Sequence, residues 1–207
     1  MPIKAILFDA DGVIQQRPEG WKDALGERLG FRGNPSDFLA EVYDAETPIL
    51  DGQTDFTEVL SNLLSRWNCR ATLAEALDVW TMLDVASEIT EMVRALKQSG
   101  VACHLASNQE PYKARYMSEV LGYRHLFDKE FYSCHIGLKK PDSGYFRAIL
   151  SNLTLPPNQI LFIDDRQANV VSARGVGLHA DTFQLETGRV ELLQILRAHG
   201  LYVTLND

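Results

Sequence analysis

Short apolar runs alternate with amphipathic segments along most of this chain. The runs occupy residues 3–8, 101–106, 130–134, 159–163 and 177–180. Each lies beside turn or polar residues, and segments with helical periodicity separate them. Strands that are apolar on both faces and separated by helices are typical of a parallel sheet covered on both sides. The pattern therefore predicts a doubly wound α/β fold.

Apolar residues recur at the spacing of an α-helix between several of these runs. Two such helices are predicted at residues 86–99 and 142–153. A last helix is expected to carry Val190, Leu193 and Leu196 on its apolar side.

The segment from about Gln15 to Val85 shows no strand pattern and predicts helices alone. One helix is expected at about 21–29, a second from about Ser36, and a fourth around Leu73 to Trp80. The third is expected to open with Asp55-x-x-Glu58, a variant of the capping box. A helical insertion of about 70 residues thus follows the first strand. We predict an α/β core domain at 1–14 and 86–207 and a helical cap domain at 15–85.

Polar side chains follow each of the first four predicted strands of the sheet. In chain order they are Asp9 and Asp11, Ser107 and Asn108, Lys139 and Lys140, and Asp164 and Asp165. Ligands of open α/β sheets bind outside the carboxyl ends of the strands, so we expect these groups to meet. Four carboxylates at one edge need a counter-charge, and Mg²⁺ binds carboxylates together with substrate phosphate. The hydroxyl, amide and ammonium groups can donate to the oxygens of an anion.

Asp9 and Asp11 are two residues apart, so in an extended chain their carboxylates lie on the same side. An aspartate can attack phosphorus and form an aspartyl-phosphate. A second carboxylate beside it can protonate the leaving oxygen and then activate water. We therefore expect one of the two to attack while the other moves protons.

The order D-x-D-G, S-N, K-P and D-D resembles the haloacid dehalogenase (HAD) superfamily, specifically its phosphatase-like members. The resemblance covers about residues 3–14 and 100–180. It is nearest to the group of α-glucose-1-phosphate phosphatase and the N-terminal domain of soluble epoxide hydrolases. The helical insertion is similar to the C1-type cap of that superfamily, and the core would be Rossmann-like.

The resemblance implies a role for each matching residue. Asp9 would be the nucleophile and a Mg²⁺ ligand, and Asp11 the general acid/base, with its backbone carbonyl also on the metal. Ser107 and Asn108 would contact the transferring phosphoryl group, and Lys140 would neutralise its charge.

The last motif would complete the metal site. Asp164 would bind Mg²⁺, and Asp165 would be a second or water-mediated ligand, in a loop oriented by Asn169. Gly12 would allow a sharp turn that brings backbone N–H groups to the phosphate.

Structural interpretations compete with these roles. Ser107-Asn108 alone is typical of a helix N-cap, and Asp164-Asp165 could cap the helix that follows it. Arg17 is expected at the surface, although a contact with substrate is the alternative.

The function predicted from these features is a Mg²⁺-dependent phosphatase acting on a small phosphorylated metabolite, with a sugar phosphate suggested by the resemblance. A phosphomutase of the β-phosphoglucomutase type shares the motifs and stays open as an alternative. A 2-haloacid dehalogenase would lack Asp11 and the metal site. A receiver-like phosphoacceptor domain would lack the helical insertion.

Composition limits the partners of the 207-residue chain. The net charge is −8 and the pI about 5.1, which argues against nucleic-acid or membrane binding. Its 3 cysteines form no CxxC pair, and no apolar run is long enough to span a bilayer. We expect a soluble cytoplasmic protein, a monomer or homodimer, whose partner is a small phosphate ester.

Overall fold

A computed structural model of the chain describes residues 2–46, 48–51 and 55–203. The strands are β1 (Ala5–Phe8), β2 (Gln15–Gln16), β3 (Asp84–Val85), β4 (Ala102–Ser107), β5 (Lys129–Tyr132), β6 (Ile160–Asp164) and β7 (His179–Thr182). The main sheet is parallel, with strand order β5–β4–β1–β6–β7. All five of its strands were predicted, within two residues at each end.

The helices are α1 (Trp21–Leu29), α2 (Pro35–Glu46), α3 (Phe56–Arg66), α4 (Leu73–Trp80), α5 (Ser87–Gln98), α6 (Pro111–Glu119), α7 (Tyr123–Leu126), α8 (Ser133–Ile136), α9 (Ser143–Asn152), α10 (Gln167–Gly175) and α11 (Arg189–Ala198). Buried side chains of α5, α6, α7 and α11 pack on one face of the sheet. Those of α9 and α10 pack on the other face. The doubly wound α/β architecture is therefore confirmed. In the described part of the chain, no helix is long and apolar enough to cross a membrane.

Strand β1 shows why its sequence is a continuous apolar run. Ile6 and Phe8 belong to the hydrophobic cluster on one face, and Ala5 and Leu7 to the cluster on the other. All four are fully buried. A central strand covered on both sides has no solvent face, so the alternation of polar and apolar residues disappears.

Helices α1 to α4 pack around a third hydrophobic cluster of their own. We call residues 21–80 the helical insert. Buried members of this cluster include Trp21, Phe38, Phe56 and Trp80. The helical content of this segment agrees with the sequence pattern, while the domain boundaries at 14/15 and 85/86 remain a prediction.

A short antiparallel ribbon joins the two ends of this segment, where helices alone were expected. In it Gln15 pairs with Val85 and Gln16 with Asp84. Two-residue strands are too short to show a period of two, so their pairing depends on the folded chain bringing both ends together.

Two details of the predicted helices are wrong. Val190 is 62% exposed, and Leu192 faces the core instead. The capping box lies at Thr72 and Glu75 before α4, whereas Asp55 caps α3 alone, by accepting from the N–H of Thr57.

Candidate active site

The site lies at the carboxyl ends of β1, β4 and β6. Since β1 lies between β4 and β6, the chain direction across the sheet reverses here, as at the ligand sites of open α/β sheets. A cavity of about 250 Å³ opens at this edge. Its lining side chains are Asp9, Asp11, Ser107, Asn108, Lys140, Asp165, Arg166 and Asn169. The structure thus brings the predicted site residues together, with Asp164 buried in contact with Lys140 and Asn169.

Lys140 is the electrostatic centre of the cavity. Its Nζ lies 2.8 Å from Oδ1 of Asp9 and 2.7 Å from Oδ2 of Asp164. It also donates to the carbonyl of Ala106 at 2.8 Å. The side chain is only 1% exposed, so this ammonium group is buried against two carboxylates. Each partner reduces the cost of burying the others.

Three carboxylates form a candidate metal centre. Asp9, Asp164 and Asp165 each offer one oxygen, and these oxygens lie within 4.8 Å of one another. Burial and the neighbouring charge of Asp164 raise the pKa of Asp9 to about 7, although Lys140 opposes the shift. Burial and Asp164 also raise the pKa of Asp165. One ammonium does not balance three acids, and an all-oxygen donor set with excess negative charge fits Mg²⁺.

The acid cluster is held in place by its own loop. Asn169 Nδ2 donates to both carboxylate oxygens of Asp164, at 2.8 and 3.0 Å. Gly12 has φ +80°, and a Cβ there would lie 2.7 Å from Oδ2 of Asp165. Only glycine therefore allows this close approach. The N–H of Gly12 itself donates to the carbonyl of Gln15 at 2.8 Å, which closes the turn.

Three side chains donate to the carboxylate of Asp11. Gln15 donates to Oδ1 at 2.8 Å, and Gln109 and Lys113 donate to Oδ2 at 2.8 and 2.7 Å. Burial alone would raise the pKa of Asp11, but Lys113 and these hydrogen bonds hold it well below its usual value. This environment favours the ionised form of Asp11 near neutral pH.

Ser107, the last residue of β4, and Asn108, which follows it, make different contacts. Ser107 Oγ accepts from Nε2 of Gln109 at 3.1 Å and faces the cavity. The Asn108 amide is tied to the backbone of Lys140, because it donates to the carbonyl and accepts from the N–H, both at 2.9 Å. Asn108 thus fixes the segment that carries Lys140.

The helix-cap interpretations are both wrong. The N-cap of α6 is Glu110, whose carboxylate accepts from the N–H groups of Tyr112 and Lys113. Pro111 follows it, and proline is suited to the first helical position because it needs no N–H partner there. The N-cap position of α10 falls on Arg166, whose side chain makes no capping bond.

Sequence reasoning missed Gln15, Gln109, Glu110 and Lys113. Glu110 is fully buried and accepts from Trp80 Nε1 at 3.2 Å, which links α6 to the helical insert. The available signal was the stretch QEPYK directly after the S-N motif. It places an amide and an ammonium four residues apart at the start of a helix that begins at the site.

A larger cavity of about 710 Å³ lies between the helical insert and the sheet edge. Its lining residues are Asp11, Gly12, Gln16, Arg17, Tyr43, Asp44, Leu50, Trp80, Asn108, Gln109, Lys113 and Arg166. Arg17 was expected at the surface, but its guanidinium carbon lies 4.2 Å from the Trp21 ring centroid and 4.9 Å from that of Trp80. It also donates to the carbonyl oxygens of Trp80 and Met82.

A family model for haloacid dehalogenase-like hydrolases matches residues 3–177 of the chain. The chain belongs to this family. The resemblance drawn from the four motifs is thereby confirmed, and the protein is an enzyme of the hydrolase class.

Curated relatives match over parts of their length. Bifunctional epoxide hydrolase 2 of Mus musculus is 25% identical over an alignment of 210 positions. The match covers 86% of this chain and 36% of that protein. Sesquiterpene phosphatase astK of Aspergillus oryzae is 29% identical over 92 residues, 44% of this chain and 47% of that one. The chain thus matches less than half the length of either relative.

The fold is shared with a solved HAD family enzyme, bt-2542 of Bacteroides thetaiotaomicron. That structure, a complex with magnesium and inorganic phosphate, has a TM-score of 0.77 at 18% identity. The match covers 92% of this chain and 98% of the other.

Proposed function

We propose that this protein is a Mg²⁺-dependent phosphatase that hydrolyses a small phosphate monoester through an aspartyl-phosphate on Asp9. The observation that carries the proposal is the buried Asp9–Lys140–Asp164 arrangement at the edge of a cavity of about 250 Å³. It places a carboxylate nucleophile beside a fixed positive charge.

Asp9, Asp164 and Asp165 would hold the Mg²⁺ ion, with the backbone carbonyl of Asp11 as a further ligand. When bound, the ion would supply positive charge for the oxygens of the phosphoryl group. The magnesium and phosphate in the bt-2542 complex support this assignment by analogy of fold.

In the first step, a carboxylate oxygen of Asp9 forms a bond to phosphorus as the bond to the leaving oxygen breaks. Ser107 donates to the phosphoryl oxygens, the Asn108 side chain holds the Lys140 segment, and Lys140 offsets the negative charge. In the second step, water attacks the phosphorus, Asp11 accepts its proton, and Asp9 is released. Positioning and electrostatics supply most of the rate enhancement.

Asp11 has the protonation state that the second step requires. To donate a proton in the first step it must first be protonated, which requires its contact with Lys113 to loosen. Asp11 and Lys113 both line the larger cavity, so a substrate that enters this cavity would loosen the contact between them.

The helical insert would act as the cap, and the larger cavity would hold the leaving group. Most of its lining side chains are polar or charged, which favours a polar leaving group such as a sugar. The name of the sesquiterpene phosphatase relative indicates the opposite, an apolar leaving group.

The direct test is phosphate release from a panel of phosphate monoesters, with Mg²⁺ and with a chelator. Hydrolysis that depends on Mg²⁺ is expected for at least one ester. If the folded protein with Mg²⁺ hydrolyses none, the proposal fails. Transfer of the phosphoryl group between two sugar hydroxyls would then favour the mutase, and halide release from a 2-haloacid would favour the dehalogenase.

Mg²⁺ binding is expected to weaken as pH falls below about 7. The proton and the metal compete for Asp9, whose pKa is raised to about 7 in the metal-free protein. Well below that value, the affinity should fall by up to about tenfold per pH unit. Titration calorimetry at pH 5.5, 6.5 and 8 measures it, and Asp9→Asn should have a flatter profile. An affinity that is constant over this range would show that Asp9 is not a ligand.

Gln109→Leu is expected to lower kcat by about 10- to 100-fold with a smaller change in KM. The substitution keeps the approximate volume but removes the amide that joins Asp11 to Ser107. Lys113 still holds Asp11, so the loss should be partial. Gln98→Leu, at an exposed position of α5, is the matched control. A kcat within about twofold of wild type would mean that the amide does not position Asp11 for catalysis.

A further inference from the structure

Arg166 occupies the junction between the two cavities of the site. It lines both of them, as do Asp11 and Asn108, so the cavities meet at these three residues. The N–H of Arg166 donates to Oδ1 of Asp164 at 2.8 Å, which fixes the backbone from which the side chain projects.

The guanidinium group of Arg166 is available to a ligand. Within residues 2–46, 48–51 and 55–203, it makes no hydrogen bond or ion pair. It is close enough to Asp165 for its charge to favour the ionised carboxylate. Asp165 is itself directed to the metal cluster, so the five N–H donors of Arg166 remain for another partner.

The larger cavity carries more positive than negative side chains. Among its described lining residues, Arg17, Lys113 and Arg166 are cationic, while Asp11 and Asp44 are acidic. Lys113 and Asp11 form an ion pair with each other. A local excess of positive charge in a chain of net charge −8 indicates an anionic ligand.

We propose that the leaving group of the substrate carries a second anionic group, a carboxylate or a phosphate, and that Arg166 binds it. The proposal rests on the proposed function, which places the phosphoryl group in the smaller cavity and the leaving group in the larger one. Arg166 is at the junction, so it reaches an anion close to the ester bond. Guanidinium groups bind carboxylate and phosphate oxygens with two parallel hydrogen bonds.

The test compares esters that differ in one charged group. One pair is 3-phosphoglycerate and glycerol 3-phosphate, and a second is a sugar bisphosphate and its monophosphate, so that carboxylate and phosphate are separated. For the wild type, kcat/KM should be at least about tenfold higher for one of the esters with a charged leaving group than for its partner with an uncharged leaving group. In Arg166→Gln, kcat/KM for the ester with the charged leaving group should fall by about 10- to 100-fold. The change for the partner with the uncharged leaving group should be less than about threefold.

Arg197→Gln, at an exposed position of α11, removes the same charge far from the site in sequence and should leave both values unchanged. Equal loss for both members of a pair in Arg166→Gln would indicate a structural role and overturn the proposal. A wild-type preference, in both pairs, for the ester with the uncharged leaving group would overturn it as well.

A binding experiment separates this inference from the proposed function. In the presence of Mg²⁺, titration calorimetry should show that 3-phosphonopropionate binds at least about tenfold more tightly than propylphosphonate, and that Arg166→Gln removes the difference. Neither compound can be hydrolysed as an ester, so this result stands even if no ester is turned over. Equal affinities for the two compounds would overturn the inference while leaving the phosphatase proposal intact.

Discussion

Asp9→Asn is expected to reduce phosphate release by about 10⁴-fold or more, because an amide cannot replace the carboxylate as nucleophile. The substitution keeps the size of the side chain and should leave the protein folded. Burial raises the pKa of Asp9 to about 7, so its ionised form is unfavourable in the metal-free protein. A neutral asparagine removes that cost, and the stability at pH 8 without metal should be equal to or above that of the wild type.

The measurement is the rate of phosphate release with a saturating ester, together with thermal unfolding with and without Mg²⁺. Added Mg²⁺ should stabilise the wild type more than Asp9→Asn. Asp78→Asn, an exposed aspartate on α4, is the matched control and should keep full activity. If folded Asp9→Asn retained more than about one hundredth of the wild-type rate, Asp9 would not be the nucleophile.

A covalent intermediate can be sought directly. Rapid acid quench of the wild type with a labelled ester should trap phosphate on the protein, and hydroxylamine should release it, as expected for an acyl phosphate. The label should be absent from Asp9→Asn. A protein that turns over without ever retaining label would instead favour direct attack by water.

Lys140→Met should destabilise the metal-free protein by about 3–5 kcal/mol, the range for removing one partner of a buried ion pair. The loss leaves Asp9 and Asp164 facing each other without the ammonium that lies within 2.8 Å of both. It also removes the donor to the carbonyl of Ala106. Activity should fall by about 10²- to 10³-fold, because the fixed positive charge beside the reacting carboxylate is lost.

The sign of the pH dependence follows from Asp9, whose pKa is already raised to about 7 in the wild type. In Lys140→Met this pKa should rise further, since the charge that opposed the shift is gone. The destabilisation should therefore be largest at pH 8, where the wild type ionises Asp9 beside Lys140 while the variant must keep Asp9 protonated or ionise it without that charge. It should be smaller at pH 5.5, where Asp9 is protonated in both proteins.

Urea unfolding at the two pH values, with and without Mg²⁺, measures these differences. Mg²⁺ should recover part of the lost stability, because it restores positive charge between the acids. Lys129→Met, at an exposed lysine whose Nζ donates to the carbonyl of Asn152, is the matched control and should have little effect. A destabilisation that is independent of both pH and Mg²⁺ would indicate lost packing around Lys140 rather than lost charge.

The positions of the strands and of the acidic residues could be predicted from the sequence, because each depends on a short stretch of the chain. Runs such as Ala5–Phe8 are apolar because both faces of a central strand are covered, and this holds wherever the strand is placed in the sheet. Strand ends of a parallel sheet share one edge, so Asp9, Ser107 and Asp164 were expected at that edge. They are neighbours because β1 lies between β4 and β6.

The hydrogen bonds to the Asp11 carboxylate could not be predicted from the sequence. Gln109 and Lys113 reach it from 98 and 102 positions along the chain, and QEPYK fits an ordinary helix start equally well. The contacts of Arg17 with the rings of Trp21 and Trp80 depend on how the helical insert packs against the segment that carries Arg17. Such contacts follow from the relative placement of whole elements, which local periodicity does not encode.

By itself, therefore, the sequence determined the parallel α/β sheet, the helical segment after its first strand, and the acids, hydroxyl and lysine expected at one edge. Periodicity and chain order suffice for these features, because each depends on one element or on the shared direction of parallel strands. Only the tertiary structure decided the charge state of Asp11, the burial of Lys140 between two acids, and the cavity that Arg166 shares with the helical insert. Those properties depend on distances between elements remote in sequence, and a change of a few ångströms would alter every one of them.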